Sequence, residues 1–203
     1  MPKELYFTFV IEQKYGFNKQ TLKGFFWDKL KSSALGVTLG GLLGGVVLWV
    51  MGAIEHWWIL AFVVVAVFQI VMMWLYPLVI MPMFNKFDPV EGELAEAIKG
   101  LAKGIGFPLN GVVKMDGSRR SGHSNAFIIG LRGARRIVLF DTLIEKLSID
   151  QLVAVLAHEL GHYKLGHIRN RLALSLVLGL GVFWFLGWMS GHDGLYQGLG
   201  FEH

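Results

Sequence analysis

The stretch that decides the fold is "LSIDQLVAVLAHELGHYKLGHIRNRLALSLVLGLGVFWFLGWMSG", Leu147 to Gly191. Its second half, Leu172 to Gly191, carries no charge and is long enough for a membrane span, and it follows directly on Arg169 and Arg171. Its first half is a helix of a different kind. Ser148 can cap the backbone while Gln151, three residues on, reaches back as in a capping box. That helix holds three of the chain's seven histidines. His158 and His162 are four apart, hence about 40° from one another on one helix face and one turn apart, so two imidazole nitrogens can reach one ion. Glu159 is angled toward a water on that ion rather than the ion itself. This is the pattern H-E-x-x-H, in which a metal lowers the pKa of its water and the glutamate takes the proton as general base. Chance produces the five-residue pattern in on the order of one chain in a hundred at this length, and the capped helix behind short strands lowers that further. His167 lies five residues past His162, about 140° around a regular helix, which keeps it from joining the pair. It reads as a polar histidine near the membrane face, and "HELGHYKLGH" does not fit the longer metzincin pattern.

Working outward, the chain of 203 residues is 54% hydrophobic and 17% charged, with a mean hydropathy of +0.50, outside the usual soluble range. It has no cysteine, which excludes disulfides, thiolate metal sites and cysteine nucleophiles, so a metal must be held by His, Asp or Glu. The formal charge of +4 suits loops beside anionic lipid. No basic, aromatic-interleaved module for nucleic acid is present. The N-terminal "MPKELYFTFVIEQKYGFNKQT" is not a signal peptide, because its apolar part is short and broken by Glu4, Glu12, Lys14 and Lys19.

Two further spans precede the helix. The 23 uncharged residues between Lys31 and Glu55 would rise about 34 Å, enough to cross a core of roughly 30 Å. Gly36, Gly40 and Gly44 recur four apart, a spacing that lets another helix approach closely and that also follows from general glycine enrichment in membrane helices. From Trp57 to Phe84 the chain is again uncharged, with Trp57 and Trp58 at one end and Trp74 and Tyr76 near the other, as in an aromatic belt. Pro77 and Pro82 should kink or end this helix. Only Ile54 to His56 remain to connect the two spans, so they form a tight hairpin.

Asn85 to Arg171 has the character of a soluble insert. "EGELAEAIKGLAKGIGF" predicts an amphipathic helix ending near Gly104 or Gly106, and "GVVKMDG", "NAFIIGL" and "RRIVLFD" read as strands. The expected fold is mainly α: polytopic membrane helices with a small α+β zincin-like catalytic insert made of an amphipathic helix, short β-strands and the H-E-x-x-H helix. Its parts are an N-terminal segment 1–31, a transmembrane hairpin 32–84, a metallopeptidase region 85–171, a third span 172–191 and a tail 192–203. Lys23, Lys29 and Lys31 precede the first span and Lys86, Arg119, Arg120, Arg132, Arg135, Arg136, Arg169 and Arg171 lie in the insert, whereas the turn between spans one and two has neither Lys nor Arg. The insert should therefore face the cytoplasm.

"FVIEQKYGFNKQT", "YPLVIMPMFNKFDP", "MDGSRRSGHSNAFIIGLRGARRIVLFDTLIEKLS" and "VAVLAHELGHYKLGHIRN" closely resemble the type I CAAX prenyl protease family, integral-membrane zinc metallopeptidases. The resemblance covers nearly the whole chain. It implies His158 and His162 as Zn2+ ligands, Glu159 as general base, and a multi-span helical barrel around an intramembrane chamber. It implies a lipid bilayer around the protein and a peptide or protein substrate, prenylated in the family's best-known role, whose scissile bond is presented near the cytoplasmic face. It also implies that the strand in "HSNAF" offers an edge to an extended substrate, with Asn125 and Ala126 making the contacts; an ordinary partly buried strand is the plainer reading. "RRSGH" and "RGARR" suit a carboxylate or lipid head groups, and the positive-inside bias accounts for them more simply.

Relatives in that family supply a third ligand, a glutamate on a later helix, with an assisting histidine. Glu202 and His203 are separated from the motif by the third span and are not assigned that role. The chain is therefore expected to be an internal piece of a protein about twice its length, holding zinc weakly on two histidines. A membrane-protein quality-control protease of the same clan and an inactive zincin-like scaffold are the rival readings.

Overall fold

A computed structural model describes residues 2–130, 135–192 and 194. Arg132, Glu202, His203 and most of the tail expected at 192–203 lie outside the described residues. The chain divides into two compact units, residues 1–30 with 74–165 and residues 31–73 with 166–203.

At the N-terminus a short helix α1 (Pro2–Tyr6) continues as a π-helical stretch over Phe7–Glu12. Helix α2 runs Leu22–Ala53, so it begins ten residues before the uncharged stretch. Thr21 explains the start, its hydroxyl accepting from the Gly24 N–H at 3.1 Å as an N-cap does. The lysines that follow are good helix formers and do not interrupt it. Helix α3 (Trp57–Leu75) follows a turn at Glu55 and His56. Pro77 then converts the helix to a π-helical turn, Tyr76–Ile80, before a last turn α4 (Met81–Phe84).

The remainder of the first unit is a four-stranded sheet with helices. In chain order come β1 (Phe87–Pro89), α5 (Glu93–Gly104), β2 (Leu109–Met115), a 3₁₀ turn at Gly117–Arg119, β3 (Ala126–Ile129), β4 (Arg135–Phe140), α6 (Asp141–Lys146) and α7 (Ile149–Lys164). Sheet order is β1-β2-β4-β3, with β2 and β4 parallel and both outer strands antiparallel to their neighbours. Alternation along the strands serves two faces. Val112, Ile137 and Leu139 join Ile98 of α5, Leu143 of α6, and Leu152 and Leu156 of α7 in one core. Val138 and Met115 face the other way, against Met81 of α4. Pro89 lies on the edge strand β1, where a missing N–H costs no ladder bond to a further strand.

The second unit contains the apolar part of α2, most of α3 and helix α8 (His167–Ser190). Trp57 donates to Ser190 at 3.3 Å, the rings of Phe62 and Phe183 lie 6.3 Å apart, and Gln69 donates to Ser175 at 2.8 Å. Residue numbers rise on α3 as they fall on α8, so the two helices are antiparallel. The Gln69–Ser175 bond pairs two polar side chains that stand among apolar residues of the two helices. Among the described residues three helices, Leu22–Ala53, Trp57–Phe84 and His167–Ser190, are long and apolar enough to cross a membrane. Gly36, Gly40 and Gly44 have open space where side chains would stand, so no described helix uses their spacing for a close approach.

Candidate metal centre

Helix α7 is built to hold one stripe down and another up. Ser148 and Gln151 form the expected capping box, the Ser148 N–H donating to Gln151 Oε1 at 3.0 Å and the Gln151 N–H to Ser148 Oγ at 3.4 Å. Leu152, Leu156 and Leu160, spaced by four, are buried against the sheet side. His158 and His162 are exposed, on the face opposite Leu156, and Glu159 is half-buried between the stripes. The two imidazole centroids are 4.6 Å apart with their planes at 76°. The C-terminal turn is fastened next to His162: the Tyr163 ring meets Phe107 edge-on at 4.9 Å, and the Arg135 guanidinium lies over Tyr163 at 4.4 Å.

Two imidazoles on one face, with a carboxylate beside them, fit part of the nitrogen and oxygen shell of a catalytic zinc ion, which takes three protein ligands. Among the described residues no group of three His, Asp or Glu could hold a metal. His167 does not lie on this helix. Gly166 adopts φ 69°, which ends α7, and His167 opens α8. The angle expected for one regular helix therefore does not apply to His167, for glycine adopts that conformation at little cost and the helix breaks there.

Asn125 and Ala126 stand where β3 begins, on the outer edge of the sheet. The Phe140 N–H donates to the Asn125 carbonyl at 3.0 Å, which fixes the alternation against β4. Residues 125, 127 and 129 bond inward, and the N–H and C=O of Ala126 and Ile128 face outward. The Asn125 side chain accepts from the Ala126 N–H at 2.9 Å. Ala126 itself is buried in the same core as Leu152 and Leu156, so the open edge and the histidine helix rest on common side chains. Ile128 was not singled out by sequence, although the period of two along "NAFII" gives it the same edge as Ala126.

Arg119 and Arg120 of the insert are held by nearby acceptors. Arg120 grips Asp28 through Nε at 2.7 Å and Nη2 at 3.2 Å, and donates to Asn85 Oδ1 at 2.8 Å and to the Phe84 carbonyl. Arg119 donates to the same carbonyl at 3.1 Å. At the foot of β4, Asp141 accepts the Ser118 hydroxyl, and its Oδ1 accepts the N–H groups of Ser118 and Thr142, each at 2.8 Å. Burial works against this carboxylate, but the Ser118 and Thr142 donors, with Lys114 nearby, hold its pKa below the ordinary aspartate value.

Comparison with known proteins places the chain in a family. Residues 1–86 match a family described as CAAX prenyl protease N-terminal, five membrane helices. The chain is 44% identical over 180 residues to CAAX prenyl protease 1 of Saccharomyces cerevisiae, covering 86% of this chain and 39% of that protein. It is 41% identical to a CAAX prenyl protease 1 homolog of Oryza sativa, covering 100% of this chain and 48% of the other. The crystal structure of S. mikatae Ste24p superposes with a TM-score of 0.85 at 42% identity, over 90% of this chain and 44% of that one. The chain thus spans about half the length, or less, of the relatives it matches. It is an integral membrane protein by its spans and its N-terminal match. Since residues 89–195, more than half the chain, match peptidase family M48, it belongs to that metallopeptidase family, whose chemistry implies a metal.

Proposed function

We propose that this chain carries the catalytic helix of a membrane zinc endopeptidase whose region 85–171 faces the cytoplasm. The observation that carries the reading is the geometry of α7: two exposed imidazoles 4.6 Å apart with Glu159 beside them. His158 and His162 would hold Zn2+, which when bound supplies Lewis acidity toward the scissile carbonyl and a water of lowered pKa. Glu159 takes a proton from the attacking water and hands it to the leaving amine. An extended substrate pairs with the outward backbone of Ala126 and Ile128, as in β-augmentation, and Asn125 frames the entrance. The lysines and arginines flanking the spans, and their lack in the turn at Glu55 and His56, support the orientation.

The relatives' names support a peptide cut after a prenylated cysteine as substrate. The test is cleavage of a short peptide with and without a farnesyl group on a cysteine near its C-terminus, by protein reconstituted in vesicles. The reading predicts faster cleavage of the farnesylated peptide, loss with a zinc chelator and loss in Glu159→Gln. Cleavage that persists undiminished in Glu159→Gln sinks it, and equal cleavage of both peptides sinks the substrate assignment alone.

A further inference from the structure

We infer that the segment Glu12–Lys19 is a positioning element of the substrate edge, acting on Asn125 and Ala126 through His123; this rests on the edge-pairing reading above. The loop from Arg120 to Ser124 leads straight into β3, yet it belongs to no ladder of the sheet. The N-terminal segment holds it. Lys19 donates its N–H to the Arg120 carbonyl at 3.1 Å, Asn18 and Ser121 form an isolated antiparallel bridge, and Gly122 donates to the Phe17 carbonyl at 2.7 Å. Contact continues at the next residue through side chains. The His123 imidazole stacks on the Phe17 ring at 4.3 Å and 14°, and its Nε2 lies 3.2 Å from Glu12 Oε1.

The far side of the loop is tied to the catalytic insert. Thr142 Oγ1 donates to the His123 carbonyl at 2.8 Å, and Lys146 Nζ donates to the Gly122 carbonyl at 2.7 Å and to Ser124 Oγ at 3.1 Å. His123 is therefore clasped between residues more than a hundred positions earlier in the chain and the helix that precedes α7. Two residues on, Asn125 accepts from the Ala126 N–H, the first outward amide of the edge. His123 is the exposed member of the clasp, with Glu12 and Thr142 more enclosed beside it, while the ladder and core contacts of β3 are made by other residues. Loosening the clasp should free the start of the edge and leave the fold standing.

The test is hydrogen exchange on the full chain in detergent micelles, read over residues 120–129 and over α7. In His123→Ala, the Ala126 amide should exchange roughly fivefold to tenfold faster, the equivalent of one net hydrogen bond, with Leu152 to Leu160 unchanged. His123→Phe, which keeps the stack, and His123→Gln, which keeps a donor toward Glu12, should each recover part of the protection. Phe17→Ala should reproduce His123→Ala. Cleavage of the farnesylated peptide should then show a raised KM at unchanged kcat. Ala126 exchange equal to wild type in both alanine variants overturns the proposal, as does acceleration spread evenly over all four strands. The two readings fail separately. If no form cleaves peptide, the enzyme reading falls while exchange still decides the clasp; if cleavage persists with KM unmoved in His123→Ala, the clasp falls alone.

Discussion

Gly187 lies against Trp58 with no room for a side chain: a β-carbon at 187 would overlap the indole ring and stand 2.9 Å from Trp58 Cβ. The antiparallel pairing of α3 and α8 depends on this approach, since lipid offers the helices no hydrophobic drive to associate and close contact must supply it. Gly187→Ala should weaken the pair by about 1–3 kcal/mol, the usual cost of overpacking. Gly181→Ala, six residues earlier and facing open space, is the control and should be neutral. Thermal melts of both variants in micelles check this, and equal melts contradict it.

Arg120 and Asp28 make a two-armed contact in which each side chain is largely buried, 22% and 19% exposed. Asp28→Asn removes the charge while keeping the shape: one oxygen can still accept from Arg120, but the other arm of the contact becomes an NH2 group that cannot accept. A loss of about 2 kcal/mol is expected, typical of a hydrogen bond to a charged group. Chemical denaturation followed through the first unit measures it. Raised salt should mimic only a small part of the loss, because a partly buried pair is poorly screened.

Asp141 gives the first unit an acid limit. Its folded pKa lies below its unfolded value, so the native state binds fewer protons than the unfolded one and the carboxylate stabilises the fold above the unfolded pKa. That stability drains away as pH falls below about 4 and through the folded pKa. Asp141→Asn should be less stable at neutral pH and lose less on acidification over that window. Melts from pH 7 to pH 3 distinguish the two; parallel curves would contradict the assignment.

Ile128→Pro deletes an outward N–H on β3 without touching a bond to β4. On the edge-pairing reading it raises KM for the farnesylated peptide roughly tenfold, as expected for one lost backbone bond, with the fold intact by circular dichroism. An unchanged KM removes the edge from substrate binding.

Much of this was legible in local sequence. The spans, the tight turn at Ile54–His56, the amphipathic α5, three strands and the Ser148–Gln151 cap all follow from periodicity, glycine and proline placement, and capping chemistry. What escaped depends on distant partners. Strand β1 is three residues ending in Pro89 and exists because β2 pairs with it. The order β1-β2-β4-β3, which makes Ala126 an edge residue, has no local signal. The early start of α2 hid behind charged residues that a membrane-span criterion discounts but a helix does not. The break at Gly166 was written in a single glycine whose conformation, φ 69°, no pattern of apolar residues announces. The histidine motif itself was plain, and the sheet beneath it explains why Leu152, Leu156 and Leu160 turn it outward.

Zinc K-edge X-ray absorption on the concentrated chain, at less than one equivalent of zinc, reads the metal's ligands directly. Imidazole scattering with nitrogens at about 2.0–2.1 Å is expected, reduced in His158→Ala and in His162→Ala. An unchanged spectrum is expected in Glu159→Gln, because the glutamate serves as base and not as ligand. A zinc shell without imidazole, or one indifferent to both alanine substitutions, would contradict the account.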